Sequence, residues 1–370
     1  MPENKILTPD TGARLQKLRT AMQHNNFDAL VISNPKNIFY YSSFAGQDSY
    51  LLVTLNRLFL LSDGRFIAQA ADEAPEAEFL CRQNGQTLGD LLLSTLPVDA
   101  AKLGFEGYHL TYAEWADLAD LLLIHRPDLL FEDCGNLPLI PRLEKDQYEL
   151  ACLQKCGEIA DQALAQVLPQ IKAGMTEKQI ACLLEQTMQN MGGEGTSFTT
   201  IVAAGANSAK PHAIPSDYAV QPGDLLTLDF GCIYRGYCGD CTRTVAIGEV
   251  DEEKLAAYQL VRRAQQQGVE QIKPGMTTAE ADRLVRQIID EAGMGQYFSH
   301  SLGHGVGLDI HETPSVGPTG SMVITPGQVI TVEPGVYIPG RFGLRIEDSC
   351  IVTEDGLQPL THFEHDLIKL

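Results

Sequence analysis

The first third of the chain alternates between two patterns of apolar and polar positions. Residues 13–22 place apolar side chains three to four positions apart, which predicts an amphipathic helix. Residues 29–33 form a short apolar run before an Asn-Pro pair, which predicts a buried strand. Residues 50–61 predict two further short strands, broken near the middle of that segment. Helices and strands that alternate in this way indicate a small α/β domain.

Turn-forming residues separate this region from a larger one. A glycine and two prolines interrupt the pattern between residues 135 and 141. Residues 144–167 then carry helix-spaced apolar positions, which predicts a long amphipathic helix. We therefore expect an N-terminal domain of residues 1–140 and a second domain of residues 141–370.

The second domain contains an internal repeat. The sequence QIKAGMT at 170–176 recurs as QIKPGMT at 271–277, 101 residues later. A second pair follows in the same order, PGDLLTLD at 222–229 and PGQVITVE at 326–333. The first pair predicts, in each copy, a glycine turn and a threonine that caps the next helix. Two repeated segments in the same order indicate a duplicated helix-plus-hairpin unit.

Composition excludes several classes of protein. The 370 residues include 27 Lys and Arg against 48 Asp and Glu, and the net charge of −21 argues against nucleic acid or an anionic membrane as a partner. Hydrophobic residues make up 44% of the chain, which is typical of a globular protein rather than a disordered one. No apolar run approaches the roughly 18 residues of a membrane span, and the first residues lack the pattern of a secretory signal.

The cysteines predict a reducing, cytoplasmic location. There are nine of them, without the spacing of a disulfide framework. Cys238 and Cys241 form a C-x-x-C, but on a strand they would point to opposite faces, and no second pair follows. We interpret them as packing residues.

In both copies of the repeat, a carboxylate ends the strand after Pro-Gly and a second carboxylate follows at hairpin distance. Asp229 and Asp240 would lie opposite each other if residues 234–235 formed a two-residue loop. Glu333 and Glu347 are symmetric about a Pro-Gly turn in the same way. The duplication therefore predicts four carboxylates in related positions.

These carboxylates need a positive partner, because like charges opposed on apolar strands are destabilising. A metal is the simplest explanation. If the two halves face each other, the four carboxylates suit two divalent ions about 3.5–4 Å apart. The alternative is that they are ordinary hairpin carboxylates paired with Arg243 and Arg345.

Histidine supplies the other candidate ligands. His300, His304 and His311 lie close together in sequence, and glycines flank His304, which suits close approach to a metal or ligand. A helical zinc pair of His300 and His304 is disfavoured by those glycines. His212 would, by itself, be interpreted as a loop histidine without a special role. Oxygen ligands with one imidazole suit manganese, cobalt or iron(II), with zinc possible, and a pair of such ions indicates a metallohydrolase.

The same segments resemble the aminopeptidase P and prolidase family. The catalytic matches are DFG at 229–231, GYCGDCTRT at 236–244, GHGVG at 303–307, HE at 311–312, EPG at 333–335 and GLRIED at 343–348. Weaker matches lie in the N-terminal domain, NIFYYSSF at 37–44 and SDGRF at 62–66. The resemblance implies an α/β (α+β) protein, with a small creatinase-like N-terminal domain and a pseudo-twofold duplicated pita-bread catalytic domain.

The resemblance also implies roles for individual residues. It places Asp229 on one metal ion, His304 and Glu333 on the other, and Asp240 and Glu347 between them. Glu333 would also accept the proton of the attacking water. His212 and His311 would hydrogen-bond the substrate carbonyl and the tetrahedral intermediate. Arg345 would orient the carboxylates, with Thr242 beside it.

The implied activity is hydrolysis of the bond between an N-terminal residue and a following proline. We expect a cytoplasmic Xaa-Pro aminopeptidase with two divalent ions, manganese first and cobalt, zinc or iron as alternatives. Its partners would be proline-containing peptides and a second copy of the chain in a homodimer. The second hypothesis is a prolidase that accepts only Xaa-Pro dipeptides.

Three further hypotheses fit the sequence less well. Methionine aminopeptidases generally lack such an N-terminal domain, a creatinase-like enzyme would not need five metal ligands, and a non-catalytic pita-bread binding protein would usually have lost some of them.

Overall fold

A computed structural model describes residues 7–370 and divides the chain into two compact units, one ending at Arg142 and the other spanning Leu143–Leu370. The division falls two residues after the boundary expected from the turn-forming residues. A 3₁₀ turn, Leu137–Arg142, ends the first unit. Within residues 7–370, no helix combines the length and apolar composition needed to cross a membrane.

The first unit is a six-stranded mixed sheet with helices. Its strands are β1 (Ala29–Ile32), β2 (Tyr50–Thr54), β3 (Leu58–Ser62), β4 (Glu78–Cys81), β5 (Lys102–Phe105) and β6 (Leu130–Asp133). Its helices are α1 (Thr11–His24), α2 (Pro35–Ser42), α3 (Ile67–Glu73), α4 (Leu88–Thr95) and α5 (Tyr112–His125). The strand order is β4-β3-β2-β1-β5-β6, and fully buried β1 lies near the centre. The predicted α/β alternation is confirmed, and each helix or strand predicted here is present within two residues of its expected ends.

The second unit has four long helices and a large antiparallel sheet. The helices are α6 (Gln147–Val167), α7 (Glu177–Asn190), α8 (Glu252–Gln271) and α9 (Thr278–Glu291). The strands are β7 (Gly195–Thr196), β8 (Ile201–Ala204), β9 (Leu225–Phe230), β10 (Cys232–Tyr234), β11 (Tyr237–Cys238), β12 (Cys241–Ala246), β13 (Gly303–Gly305), β14 (Glu312–Val316), β15 (Val329–Val332), β16 (Gly335–Ile338), β17 (Phe342–Arg345), β18 (Glu347–Val352) and β19 (Leu357–Pro359).

The duplication predicted from the repeat is visible in the helix pairs. Thr176 and Thr277 each cap the helix that follows and each complete a capping box with the residue three positions on. Gly174 and Gly275 both adopt φ near +90°, as the glycine turn requires. Each pair has its own apolar core, so α6 and α7 cover β9 and β12 while α8 and α9 cover β15 and β18.

The main sheet of the second unit places the two hairpins side by side. Its strand order is β14-β13-β15-β18-β12-β9-β8, and β19 pairs with β18. All of these pairs are antiparallel. The two halves of the duplication therefore meet where β18 pairs with β12.

The two hairpins differ in how well their registers were predicted. The predicted register of the first hairpin is wrong. Tyr234 pairs with Tyr237, so the loop is Arg235-Gly236 rather than residues 234–235. Each residue of the first strand therefore faces a partner two positions further along the chain than predicted. Both loop residues have positive φ, +50° and +80°, the geometry of the primed turns that connect twisted strands. For the second, Gly335 pairs with Arg345 and Val332 with Asp348, so the predicted register is confirmed.

Candidate metal centre and active site

Five adjacent strands bring the predicted ligands to one place. His304 lies in β13, Glu333 follows β15, Glu347 begins β18, Asp240 precedes β12 and Asp229 lies in β9. These strands are consecutive neighbours in the sheet. One oxygen of Asp240, one of Glu347 and one ring nitrogen of His304 all lie within 4.8 Å of one another. The His304 Nε2 atom is also 3.3 Å from Glu333 Oε1.

Because the register of the first hairpin differs from the predicted one, Asp229 faces a different residue. Thr242, not Asp240, is directly opposite Asp229, and Thr242 also pairs with Glu347 on the other side. Its hydroxyl donates a 2.6 Å hydrogen bond to Glu347 Oε2 and accepts one of 3.1 Å from Arg345 Nε. Asp240, two residues from Thr242, remains on the same face of the strand. Thr242 therefore orients Glu347 between the two halves.

The ring of His304 is set for ligation through one nitrogen. Its Nδ1 lies 3.1 Å from the carbonyl oxygen of Gly305, so Nδ1 carries the proton that is donated there. The Nε2 lone pair is then directed toward Asp240 and Glu333. Its backbone N–H is held 3.0 Å from the Thr331 hydroxyl, which donates to Glu333 Oε1 at 3.1 Å. A backbone carbonyl on the second ring nitrogen is typical of metal-binding histidines.

The charge balance of the cluster fits bound cations. Burial raises the pKa of Asp240 and of Glu347 well above their usual range, and the neighbouring carboxylates raise both further. Burial likewise raises the pKa of Glu333 to about 7. Asp229 Oδ1 and Glu347 Oε1 are buried and have no hydrogen-bond partner among residues 7–370. Buried carboxylate oxygens without donors are costly, and divalent cations are the partners that such oxygens take.

Arg345 supplies the one guanidinium of the cluster. Its Nη2 contacts Asp229 Oδ2, and its Nη1 donates to the hydroxyl of Tyr337 at 2.5 Å. It is 4% exposed, so solvent screens its attraction to the carboxylates only weakly. A single buried Arg cannot balance four carboxylates, so the pairing alternative accounts for only part of the charge.

Arg243, the other guanidinium of that alternative, does not face the carboxylate cluster. It lies on the opposite face of β12, where its Nη2 contacts Asp348 at 2.7 Å and the carbonyl oxygen of Phe363 at 2.7 Å. The alternation of side chains along a strand separates Arg243 from Thr242 in this way. The ion-pair alternative is therefore wrong for Arg243.

All eight predicted site residues line one cavity of about 720 Å³. They are Asp229, Asp240, His304, Glu333, Glu347, His212, His311 and Arg345. The ring of His311 stacks edge-on against that of His304, with centroids 4.4 Å apart. His212 lies in the loop before β9, and both His212 and His311 are exposed toward the cavity side. The spacing of His212 along the chain had given no sign of this position.

Two further residues complete the site: His300, which the sequence offered only as a candidate ligand, and Tyr337, which sequence reasoning missed. His300 Nδ1 donates a hydrogen bond to the carbonyl oxygen of Ser301 at 2.8 Å. Its Nε2 therefore accepts a hydrogen bond from the Tyr337 hydroxyl, with 3.1 Å between nitrogen and oxygen. The Tyr337 oxygen in turn accepts from Arg345. Burial lowers the pKa of His300 to about 3, so the ring is neutral and this donor order holds at neutral pH. An apolar strand with a single tyrosine gives no sequence signal for this contact.

Comparison with known proteins agrees with the family and the fold. Residues 151–354 match metallopeptidase family M24, and residues 14–142 match the creatinase/prolidase N-terminal domain. An uncharacterised peptidase of Bacillus subtilis is 37% identical over 358 residues, which cover 96% of this chain and all of the relative.

Two solved structures are similar over nearly the whole chain. The Xaa-Pro dipeptidase from Bacillus anthracis has a TM-score of 0.93 and 36% identity, and the match covers 98% of this chain and 100% of that one. The X-Pro aminopeptidase from Thermotoga maritima has a TM-score of 0.87 and 33% identity, covering 96% and 99%. The predicted family, the creatinase-plus-pita-bread fold and the assignment as a metal-dependent hydrolase are confirmed. This chain therefore belongs to metallopeptidase family M24, with a creatinase/prolidase N-terminal domain preceding its catalytic domain.

Proposed function

We propose that this protein is a dinuclear-metal peptidase that hydrolyses the bond between an N-terminal residue and a following proline. The observation that carries the proposal is the convergence of four carboxylates and one imidazole from five neighbouring strands, beside the exposed rings of His212 and His311. The names of the two solved relatives support the substrate class.

The metal centre is proposed to use all five predicted ligands. Asp229 would hold one ion, His304 and Glu333 the other, and Asp240 and Glu347 both. A donor set of carboxylate oxygens with one imidazole favours manganese, with cobalt, iron or zinc as alternatives. Divalent ions in such a site polarise the scissile carbonyl and activate water as the nucleophile.

The protein's own groups would then bind and move protons. Glu333, whose Oε1 lies 3.3 Å from His304 Nε2, would accept a proton from the attacking water. His212 and His311 would donate hydrogen bonds to the substrate carbonyl and to the charge that develops on it. Arg345 would keep Asp229 oriented, since its guanidinium contacts that carboxylate directly.

A proline substrate is consistent with a recessed cavity rather than an open strand-binding groove. The proline nitrogen has no N–H and its ring fixes φ, so a peptidase that binds its substrate as an extended, hydrogen-bonded strand fits it badly. A cavity that recognises the ring by its shape avoids this requirement.

An aminopeptidase and a dipeptidase differ in whether the site binds the C-terminal carboxylate that follows proline in a dipeptide. Among the described residues that line the cavity, Arg345 is the one cationic side chain other than histidine, and Asp229, Tyr337 and Thr242 already occupy it. A dipeptide would place its free carboxylate in the cavity, where no unoccupied Lys or Arg of the lining residues could bind it. This favours substrates that continue past proline. We therefore place the Xaa-Pro aminopeptidase first. The dipeptidase remains the second candidate because the Bacillus anthracis relative bears that name.

The decisive assay compares Ala-Pro with Ala-Pro-Ala, each with manganese, cobalt or zinc, and with a chelator. Ala-Ala-Ala is the control for proline. We expect metal-dependent release of alanine from Ala-Pro-Ala and none from the control. Turnover of Ala-Pro alone would replace the aminopeptidase with the dipeptidase, and cleavage of neither proline peptide with any metal would exclude both.

A further inference from the structure

Glu177, the first residue of α7, is a fully buried carboxylate outside the metal cluster. Its Oε1 accepts the backbone N–H of Ala204 at 2.8 Å. Its Oε2 accepts the side-chain amide of Asn207 at 2.8 Å and both the N–H and the hydroxyl of Ser216, at 2.8 and 2.7 Å. Every one of these donors lies in residues 204–216, the segment that contains His212.

Asn207 extends this contact to both sides of His212. Its Nδ2 also donates to the carbonyl oxygen of Ile214 at 3.2 Å, and its Oδ1 accepts from Lys210 Nζ at 3.1 Å. The amide orientation follows from its partners, because two acceptors face Nδ2 and an ammonium faces Oδ1. Asn207 thus binds the residues two positions before and two positions after His212.

The segment has little other regular structure to hold it. After the 3₁₀ turn Gly205–Ala209 it forms neither helix nor strand until β9, and His212 and Ile214 are both exposed. A loop with few backbone partners opens easily unless side chains fix it. On the cavity side the carbonyl oxygen of Pro211 accepts from Arg345 Nη1 at 3.3 Å. Glu177 and Asn207 hold the segment on the side away from the metal ligands.

The duplicated half of the domain shows that the fold itself does not need this carboxylate. The residue equivalent to Glu177 at the start of α9 is Thr278, whose hydroxyl is buried and finds no hydrogen-bond partner in the part of the chain that the structure describes. Both helices nevertheless have the same capping box and the same bridge to the chain that follows, Thr176 with Ala219 and Thr277 with Val323. A buried carboxylate is costly, so its presence in one half only indicates a task specific to that half.

We propose that Glu177 and Asn207 are positioning residues that hold the His212 segment at the cavity. This rests on the proposed function, because the value of a fixed His212 depends on its role toward the substrate carbonyl. Glu177→Gln places an amide where three donors converge, and Asn207→Asp replaces the donating amide by an acceptor of the same size. Thr278→Val is the matched control, since it alters the equivalent position and removes no hydrogen bond.

Kinetics on Ala-Pro-Ala and calorimetric titration with Mn²⁺ test the proposal. We expect Glu177→Gln and Asn207→Asp to lower kcat/KM about 10- to 100-fold with unchanged Mn²⁺ affinity and stoichiometry, and Thr278→Val to match the parent. In a His212→Ala background, Glu177→Gln should change the rate by less than about twofold, because the group it positions is gone. If Glu177→Gln fails to fold, Asn207→Asp at its partly exposed site takes its place.

The contrary outcomes separate the two proposals. An equal loss in the His212→Ala background, or loss of Mn²⁺ binding in Glu177→Gln, overturns the positioning role, and so does a His212→Ala variant with the parent rate. If the parent protein cleaves no Xaa-Pro peptide, the proposed function is wrong. Amide hydrogen exchange of residues 205–216 then decides whether Glu177 holds the segment: unchanged exchange in Glu177→Gln would refute that as well.

Discussion

At the scale of single residues, the site is a group of buried carboxylates whose pKa values are raised by burial and by one another. Asp240 shows this most directly, because burial and three neighbouring carboxylates all raise its pKa. Without a cation, its charge is unfavourable in the folded protein. In the proposed metal centre, the same charge would serve as a ligand.

Asp240→Asn should therefore have opposite effects on function and on the metal-free fold. We expect metal-dependent turnover to fall to the rate measured with a chelator, and Mn²⁺ stoichiometry to fall below that of the parent. The chelated variant should unfold at a higher temperature than the chelated parent, since one buried like charge is removed. Asp355→Asn, at an exposed position away from the cavity, is the control. Retained Xaa-Pro cleavage in Asp240→Asn would exclude its role as a ligand.

Tyr337 gives a second test, of stability rather than of metal binding. Its hydroxyl joins His300 to Arg345, so Tyr337→Phe leaves a buried guanidinium N–H and a ring nitrogen without partners. We expect the free energy of unfolding to fall by about 1–3 kcal/mol in urea titrations of the chelated protein. Tyr297→Phe removes a hydroxyl that makes no hydrogen bond with any of the described residues, 7–370, and should change little. A Tyr337→Phe value equal to that control would show that the relay contributes nothing.

At the scale of secondary-structure elements, the site depends on close backbone contacts between strands. Gly303 in β13 approaches β15 so closely that an added Cβ would lie 2.1 Å from the carbonyl oxygen of Thr331. The Thr331 hydroxyl binds both the His304 N–H and Glu333. A change in the spacing of these two strands would therefore move two proposed ligands together.

Gly303→Ala should weaken both the fold and the metal site. Overpacking at a strand contact costs about 1–3 kcal/mol of unfolding free energy, and we expect a lower Mn²⁺ affinity in calorimetry. Gly195→Ala, in β7, is the matched control because an added Cβ there meets nothing within 4 Å. If Gly303→Ala lost stability but kept the parent Mn²⁺ affinity, β13 would not set the position of His304.

At the scale of the whole molecule, the two halves of the duplication contribute carboxylates to one cluster, so their charges affect folding jointly. Acidic groups whose pKa is raised in the folded protein hold more protons there than in the unfolded chain, and stability falls as pH rises through that window. Histidines whose pKa is lowered act in the opposite direction, but only below about pH 6.5. His300, His304 and His311 are of this kind, through burial first.

The chelated protein should therefore lose stability between about pH 7 and pH 8.5. In the upper part of that range the histidines are largely neutral in both states, because their usual pKa is about 6.5. Asp240, Glu333 and Glu347 hold protons in the folded protein that the unfolded chain has already lost, since burial raises the pKa of each, that of Glu333 to about 7. The expected slope is about 1.4 kcal/mol per pH unit for each proton released. Thermal unfolding across this range checks it. Glu333→Gln should reduce the slope and saturating Mn²⁺ should remove it, whereas a flat profile for the chelated parent would contradict the shifted pKa.

The features that could be predicted without the structure are those that local chemistry encodes. Glycine turns and threonine caps depend on the preferences of a few adjacent residues, so the repeat predicted the duplicated helices and the second hairpin. The residue types of the proposed ligands could also be predicted from the sequence, because carboxylates that meet on buried strands are destabilising without a positive partner. The family resemblance, carried by short motifs around the same residues, supplied the fold class.

Long-range contacts in the folded chain set which of the proposed site residues lie together and which hydrogen bonds hold them. The sheet order brings β18 beside β12, and pairing across more than one hundred residues leaves no local pattern to detect. The first hairpin register depended on a turn in which Arg235 adopts positive φ, a conformation that neighbouring strands impose on a non-glycine residue. The Tyr337 relay and the Glu177–Asn207 contact are hydrogen bonds between distant segments. Such bonds form only once the strands and helices are in place, so no local sequence pattern predicts them.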